Sequence, residues 1–426
     1  MAAIAIAQEL AAIGVAARAA ARALSRTPSA VKDRALTRVA EALESSQGPL
    51  LAANARDLEA GRARGLSDAL LDRLMLDPDR LRGMAADVRA VVALPDPVGE
   101  EMDTRTMPNG LVIGRRRVPL GVIGVVYESR PNVTVDVAAL CLKSGNACVL
   151  RGGSEAIHSN TALAAMLREA VEAAGAPTDS VQFIANTDRA IVAQLLRMRE
   201  QIDLLIPRGG AELVRFVAEN ATMPAVTGGI GVCHTYVDRS ADMEMAGRIV
   251  FNAKVQRPSV CNALDTLLAH VEASPRLLPA LARSLGEAGV ELRCDGRAAS
   301  LLAPLGLATV VPAGPDDWGR EFLGLVLAVR VVDSLDEALD HIERYGSGHS
   351  EAIITEDYSA AARFLDEVDA AAVFVNASTR FTDGSQFGLG AEVAISTSKF
   401  HARGPMGLRE LTSYKWVVRG AGQVRE

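Results

Sequence analysis

Residues 121–153 read GVIGVVYESRPNVTVDVAALCLKSGNACVLRGG, and this stretch decides the fold class. The run Val122–Tyr127 is short, apolar and rich in valine, which is typical of a strand buried on both faces. A helix is expected from Pro131, and a second buried strand is expected at Ala147–Leu150. Two such strands joined by a helix lie parallel in one sheet.

The same alternation of strand and helix continues along the chain. Further strands are expected at Val181–Ile184 and Asp203–Ile206, and then near Thr266, Glu291, Leu325 and Ile353. Strands that alternate with helices predict parallel sheets covered by helices on both faces. The fold class is therefore α/β, with two α/β lobes.

The chain is expected to divide into these two lobes and a small arm. Residues 1–101, which are helical in pattern, join residues 119–232 in the first lobe, and residues 233–375 form the second. A hairpin at residues 102–118 and a strand within residues 395–426 form the arm. We expect the arm to pair with another subunit, which predicts a homo-oligomer, a dimer or higher.

Composition narrows the class of partner. The chain has 426 residues, 49% of them hydrophobic, and a net charge of -7, so no global positive field attracts nucleic acid or an anionic membrane. No apolar run is long enough to span a bilayer.

Five cysteines without a CxxC pair fit a reducing compartment, which predicts the cytoplasm. The six histidines form no HxxxH pattern, and no metal is expected.

Cys261 is the best candidate for a nucleophile. It lies in the polar, proline-containing loop 256–262, QRPSVCN, close in sequence to Lys254 and Arg257. Nearby cations favour the thiolate form of a cysteine, which is the reactive form. The alternative is that Cys261 is a small buried apolar residue, as expected for Cys141 and Cys148 in their apolar runs.

Two glycine-containing turns are candidates for binding phosphate. One turn has Arg151, Gly152, Gly153 and Ser154 after a strand, and the other has Gly209 and Gly210 after the strand that ends near Ile206. A helix N-terminus after a strand presents backbone N–H groups to a phosphate. The alternative is an ordinary turn in which glycine supplies backbone freedom.

Several longer sequence words resemble those of a known family. Residues 127–134, YESRPNVT, and residues 143–156, which end in RGGSEA, resemble the cofactor lobe of the aldehyde dehydrogenase superfamily. Residues 228–234, GGIGVCH, residues 256–262, QRPSVCN, and residues 348–353, GHSEAI, resemble the narrower family of gamma-glutamyl phosphate reductases.

The resemblance implies a role for individual residues. Cys261 matches the nucleophile, and Asn132 matches the asparagine whose amide holds the oxyanion. Arg151 matches the basic residue that lies over the adenosine ribose, where we expect it to meet the 2'-phosphate of NADP, and Glu321 matches the glutamate that holds the nicotinamide ribose. The turn residues Gly152, Gly153, Ser154, Gly209 and Gly210 match the cofactor turns. Lys254 and Arg257 are the candidate anchors for an anionic substrate.

One position departs from the pattern of the hydrolytic aldehyde dehydrogenases. Those enzymes carry a general-base glutamate before a Gly-Gly pair, whereas this chain has Val226 and Thr227 before Gly228 and Gly229. The departure argues against a reaction that ends in hydrolysis, because no carboxylate stands at that place to activate water.

The resemblance implies that the chain uses NADPH to reduce gamma-glutamyl 5-phosphate to glutamate 5-semialdehyde and phosphate through a thioester on Cys261. This would be the second step of proline synthesis from glutamate. Two alternatives stay open, a hydrolytic NAD(P)-dependent aldehyde dehydrogenase and a non-catalytic homologue that acts as a partner of glutamate 5-kinase. A transient contact with that kinase, which would hand over the unstable acyl phosphate, also stays open.

Overall fold

A computed structural model describes residues 2–226, residue 228 and residues 230–425 of the chain. The chain forms two units. The first comprises Met1–Thr227, Gly388–Ala394 and Met406–Glu426, and the second comprises Gly228–Phe387 and Ile395–Pro405. None of the helices in the described part of the chain combines the length and the apolar character needed to cross a bilayer.

The first unit begins with five helices and continues with strands and helices in alternation. Its helices are α1 (Ala2–Leu24), α2 (Ser29–Ser45), α3 (Gln47–Ala63), α4 (Asp68–Leu74), α5 (Pro78–Ala93), α6 (Asn132–Lys143), α7 (Ile157–Ala173), α8 (Ala190–Leu195) and α9 (Ala211–Asn220). Its first six strands are β1 (Glu101–Thr106), β2 (Val112–Pro119), β3 (Val122–Tyr127), β4 (Ala147–Gly152), β5 (Val181–Phe183) and β6 (Leu204–Arg208).

Four of these strands form a parallel sheet in the order β5-β4-β3-β6. All six residues of β3 are buried, as the continuous apolar run predicted. Strand β3 ends at Tyr127, which pairs with Gly152 of β4 and with Arg208 of β6. The segments that follow these three strands therefore lie at one edge of the sheet, where open α/β sheets bind ligands.

The second unit contains the other parallel sheet. Its elements are β7 (Cys233–Val237), α10 (Met243–Val255), β8 (Leu264–His270), α11 (Ser274–Glu287), β9 (Glu291–Cys294), α12 (Gly296–Leu302), β10 (Val310–Pro312), β11 (Val326–Val332), α13 (Leu335–Tyr345), β12 (Ser350–Ile354), α14 (Tyr358–Glu367), β13 (Ala372–Val375), β14 (Ile395–Ser396) and β15 (Gly404–Pro405). Seven strands form the sheet in the order β10-β9-β11-β8-β7-β12-β13. Both predicted α/β lobes are thus present.

A three-stranded antiparallel sheet completes the first unit. Strand β16 (Thr412–Arg419) pairs with β2, which also pairs with β1. The predicted hairpin and the predicted C-terminal strand are both present, and they pair with each other within the chain. Tyr414, Trp416 and Val418 alternate along β16, and all three side chains are exposed.

Candidate active site

Cys261 lies in the loop between α10 and β8. Its side chain is partly exposed, whereas the other four cysteines are buried. A thiol must reach solvent or substrate to react, so exposure separates Cys261 from the rest. The predicted distinction between Cys261 and the buried pair Cys141 and Cys148 is confirmed in this respect.

Asn262, the residue after Cys261, is fixed through both its side chain and its backbone. Its Nδ2 donates to the carbonyl oxygens of Arg380 at 3.3 Å and Thr382 at 2.8 Å. The carbonyl oxygen of Asn262 accepts a bond of 2.8 Å from the hydroxyl of Thr379. Three hydrogen bonds to one short segment hold the end of the nucleophile loop in place.

Gly231 packs directly on the peptide of Cys261. A β-carbon at Gly231 would lie 1.5 Å from the carbonyl oxygen of Cys261 and 2.4 Å from its carbonyl carbon. No side chain fits at such a distance, so only glycine permits this approach. Two residues further on, the thiol of Cys233 donates to the same carbonyl oxygen at 3.3 Å. Burial raises the pKa of Cys233, which therefore stays a protonated donor.

Glu321 is hydrogen-bonded to Gly231, the residue that packs on Cys261. Its Oε1 accepts a bond of 2.9 Å from the backbone N–H of Gly231, and burial raises its pKa. The next residue, Phe322, donates its backbone N–H to Oδ1 of Asp265 at 3.2 Å. Leu323 has a φ of 52°, which is strained for a leucine. The structure thus brings Glu321 together with the nucleophile loop.

Lys254 has a position that does not suit a substrate anchor. Its side chain is fully buried, and its ammonium donates to the carbonyl oxygen of Leu264 at 2.9 Å and faces Oδ1 of Asp265 at 3.5 Å. Burial lowers the pKa of Lys254 and raises the pKa of Asp265 to about 7. If Lys254 turned away toward a substrate, the carboxylate of Asp265 would stay buried without its cation, which is costly in free energy. The residue is better described as part of the support beneath the loop.

Arg257 is exposed, as a substrate anchor requires. A second arginine, Arg380, lies close to the same loop and was not predicted from the sequence. Its Nε donates to Oε1 of Gln256 at 2.7 Å. Arg380 is more than a hundred residues away in sequence, and no local pattern marks it as a neighbour of Cys261.

Asn132 lies in the first unit, where it is the first residue of α6. Its Nδ2 donates to Oδ2 of Asp136, one turn later, at 2.8 Å. Burial raises the pKa of Asp136 to about 7. This bond uses one of the two amide protons of Asn132 and fixes the orientation of the side chain.

The two glycine turns follow strands β4 and β6 at the same edge of the sheet. A β-carbon at Gly152 would lie 2.1 Å from Nδ2 of Asn160, and one at Gly209 would lie 2.5 Å from the carboxylate of Glu128. Gly153 precedes a single 3₁₀ turn that begins at the exposed Ser154. The N–H of Gly210 donates to Glu128 at 3.0 Å, so a carboxylate of the chain occupies an anion position at the start of α9.

Arg151 is buried beside the first of these turns. Its Nη1 donates to the carbonyl oxygen of Gly152 at 2.9 Å and its Nη2 to that of Thr187 at 3.2 Å, while its buried Nε has no partner among the described residues. Burial lowers its pKa. A cation at the ligand-binding edge of a parallel sheet, flanked by glycine turns, fits a phosphate-bearing dinucleotide.

Val226 stands where the hydrolytic aldehyde dehydrogenases carry their general-base glutamate. Val226 is buried, and its backbone N–H donates to the carbonyl oxygen of Leu205 at 2.8 Å. Thr227 and Gly229 lie outside the described residues. An apolar side chain at Val226 cannot act as a general base.

We expect the Gly231→Ala substitution to lower kcat by about 10²-fold or more, because the added methyl group must displace the peptide of Cys261. Steady-state kinetics measures the change. Gly247→Ala is the matched control, since a β-carbon at Gly247, in α10, meets no atom within 4 Å. Equal kcat values for the two variants would contradict the tight approach.

Comparisons with known proteins give the family. The sequence profile of the aldehyde dehydrogenase family matches residues 2–293 and 286–417. A gamma-glutamyl phosphate reductase of Dehalococcoides mccartyi (strain CBDB1) is 60% identical over 409 residues, which are 96% of each chain. The crystal structure of gamma-glutamyl phosphate reductase from Thermotoga maritima matches with a TM-score of 0.95 and 48% identity, covering 98% of this chain and 100% of that one.

A more distant match supports the fold alone. An acetylating aldehyde dehydrogenase from Geobacillus thermoglucosidasius superposes with a TM-score of 0.71 at 18% identity and covers 99% of both chains. The predicted aldehyde dehydrogenase-like fold is confirmed. The chain belongs to the aldehyde dehydrogenase family and, within it, to the gamma-glutamyl phosphate reductases.

Proposed function

We propose that this chain reduces gamma-glutamyl 5-phosphate to glutamate 5-semialdehyde and phosphate, the second step of proline synthesis from glutamate. Relatives that carry the name of this activity match along nearly the whole chain. The observation that carries the proposal is the partly exposed Cys261 in a loop fixed by Gly231 and Asn262. A non-catalytic homologue would not need a rigidly held, accessible thiol.

In the proposed mechanism, Cys261 is the nucleophile. Its sulfur forms a bond to the acyl carbon, the bond from that carbon to the bridging oxygen breaks, and phosphate leaves with the electron pair. The thiol proton passes to the departing phosphate, which leaves as HPO₄²⁻, and a thioester remains on Cys261. The Asn132 amide is the proposed donor to the oxyanion, a role typically worth about 10²- to 10³-fold in rate for one donor.

The family and the reductase relatives imply a nicotinamide cofactor. We infer that it is NADPH, which supplies the hydride for reduction of the thioester when it is bound. Arg151 would meet the 2'-phosphate, and Glu321 would hold the nicotinamide ribose. The diphosphate would be held by backbone groups of the turn residues Gly152, Gly153, Ser154, Gly209 and Gly210. Glu128 must release the N–H of Gly210 before that group can donate to the cofactor.

Arg257 remains the proposed anchor for the anionic substrate, whereas Lys254 is left out because its ammonium is bonded inside the second unit.

We also propose that the chain self-associates through the arm. The exposed face of β16 carries Tyr414, Trp416 and Val418, and apolar side chains on one exposed strand face favour pairing with another copy. No contact with glutamate 5-kinase is proposed.

The proposed reaction can be tested in the oxidative direction. Because Val226 cannot activate water, the thioester should be released by phosphate and not by hydrolysis, so reduction of NADP by glutamate 5-semialdehyde should depend on added phosphate. General-base help with water is typically worth about 10²- to 10⁴-fold, and we expect a rate difference of at least 10²-fold between phosphate-supplied and phosphate-depleted assays.

Cys261→Ala is the control for this assay and should give no turnover with or without phosphate. Sustained formation of glutamate at the full rate without phosphate would overturn the proposal in favour of a hydrolytic aldehyde dehydrogenase.

The choice of NADPH is tested by Arg151→Ala. A guanidinium forms charge-assisted bonds with a 2'-phosphate, and NADH has no such group. We expect the Kd of NADPH to rise about 10-fold or more and the Kd of NADH to change less than about threefold. Fluorescence titration measures both constants. Arg62→Ala, at an exposed arginine of α3, serves as the control. Equal losses for both cofactors would remove the 2'-phosphate role.

A further inference from the structure

Arg380 is bonded to both ends of the nucleophile loop. Its Nε donates to Oε1 of Gln256, the neighbour of Arg257, at 2.7 Å. Its carbonyl oxygen accepts a bond of 3.3 Å from Nδ2 of Asn262, the neighbour of Cys261. Arg380 therefore joins the two ends of the loop, with its guanidinium at the end that carries Arg257 and its backbone at the end that carries Cys261.

The segment that carries Arg380 is held firmly. It follows β13 and begins with Asn376, whose side chain exchanges hydrogen bonds of 2.9 Å with the backbone N–H and the carbonyl of Thr355. Ser378 then caps the short 3₁₀ turn Thr379–Phe381 by accepting the N–H of Arg380 at 3.3 Å. These bonds preorganise Arg380 before any ligand arrives, which lowers the entropic cost of binding one.

The charges around Arg380 favour an anionic ligand. Its side chain is half-buried. Burial and the like charge of Arg257 lower its pKa, while Cys261, Asp383 and Cys233 act in the opposite direction. The Oδ1 atom of Asp383 is engaged by the backbone N–H groups of Ser385 and Gln386. Two guanidiniums near one another repel, and a dianion that binds both relieves the repulsion.

We propose that Arg380, with Arg257 as its partner cation, binds the phosphoryl group of the acyl phosphate and makes the chain specific for phosphate as the leaving group. This inference rests on the proposed function. The phosphorus is separated from the attacked carbon by one oxygen, whereas the α-carboxylate of a glutamyl group lies four carbon–carbon bonds away. The backbone of Arg380 holds the neighbour of Cys261, and its guanidinium, bonded to Gln256, interacts electrostatically with both Cys261 and Arg257. This position favours the phosphoryl group over the distant carboxylate. The charge of the guanidinium stabilises the oxygen on which negative charge develops as the carbon–oxygen bond breaks.

The test compares Arg380→Gln and Arg380→Lys with the parent chain in the oxidative reaction. We expect Arg380→Gln to raise the KM for inorganic phosphate about 10-fold or more and to leave the KM for glutamate 5-semialdehyde within about twofold. Arg380→Lys, which keeps the charge but loses the planar fork, should fall between the two. Arg363→Gln is the matched control, because Arg363 pairs with Asp336 and Glu367 on the surface of the same unit.

An unchanged KM for phosphate in Arg380→Gln, or a rise confined to the KM for the semialdehyde, would overturn the assignment, the second result by making Arg380 a carboxylate anchor. If Arg380→Gln fails to fold, as judged by lost NADP binding, Arg380→Lys gives the same comparison. Phosphate-independent turnover of the parent chain would instead defeat the proposed function, so the two failures are distinguishable.

Discussion

The position of the nucleophile loop depends on a backbone contact between Gly231 and the carbonyl of Cys261, which leaves no space for a side chain. The same carbonyl oxygen accepts the thiol of Cys233, and the next residue, Asn262, is bonded to the segment after β13. The peptide that carries the nucleophile is therefore fixed by two separate parts of the chain. Fixed geometry of this kind is what allows binding energy to lower a reaction barrier.

Buried charge lies beneath the loop and has a structural cost. The ammonium of Lys254 and the carboxylate of Asp265 are both removed from water. Burial lowers the pKa of Lys254 and raises the pKa of Asp265, so it favours the neutral form of each group. Their hydrogen bonds to Leu264 and Phe322 recover part of that cost. Through Phe322 the pair also positions Glu321, which holds Gly231, so one buried network connects the candidate cofactor residue with the nucleophile.

Much of the fold could be predicted because its strands are continuous apolar runs. Val122–Tyr127 forms β3 at the predicted residues, and the strands near Thr266 and Ile353 occur as β8 and β12. Buried parallel strands leave this signature in the local sequence. Cys261 could also be separated from the buried cysteines by its polar loop.

The rest of the site depends on contacts between segments far apart in sequence. Arg380 meets the loop only because β13 ends near it, and the contact of Gly231 with Cys261 joins residues on either side of α10. Lys254 was predicted as a substrate anchor because it is a cation close in sequence to Cys261, yet it is buried with Asp265. Its partner Asp265 lies beyond the loop, and sequence spacing does not reveal the pairing.

Mass spectrometry of the acid-quenched protein shows whether Cys261 carries the acyl group. The chain is mixed with glutamate 5-semialdehyde and NADP in the absence of phosphate, so that the acyl-enzyme has no phosphate to accept its acyl group. We expect one glutamyl adduct, located on the peptide that contains Cys261 and removed by adding phosphate before the quench. An adduct on another residue, or an unmodified Cys261 during NADP reduction, would contradict this role of Cys261.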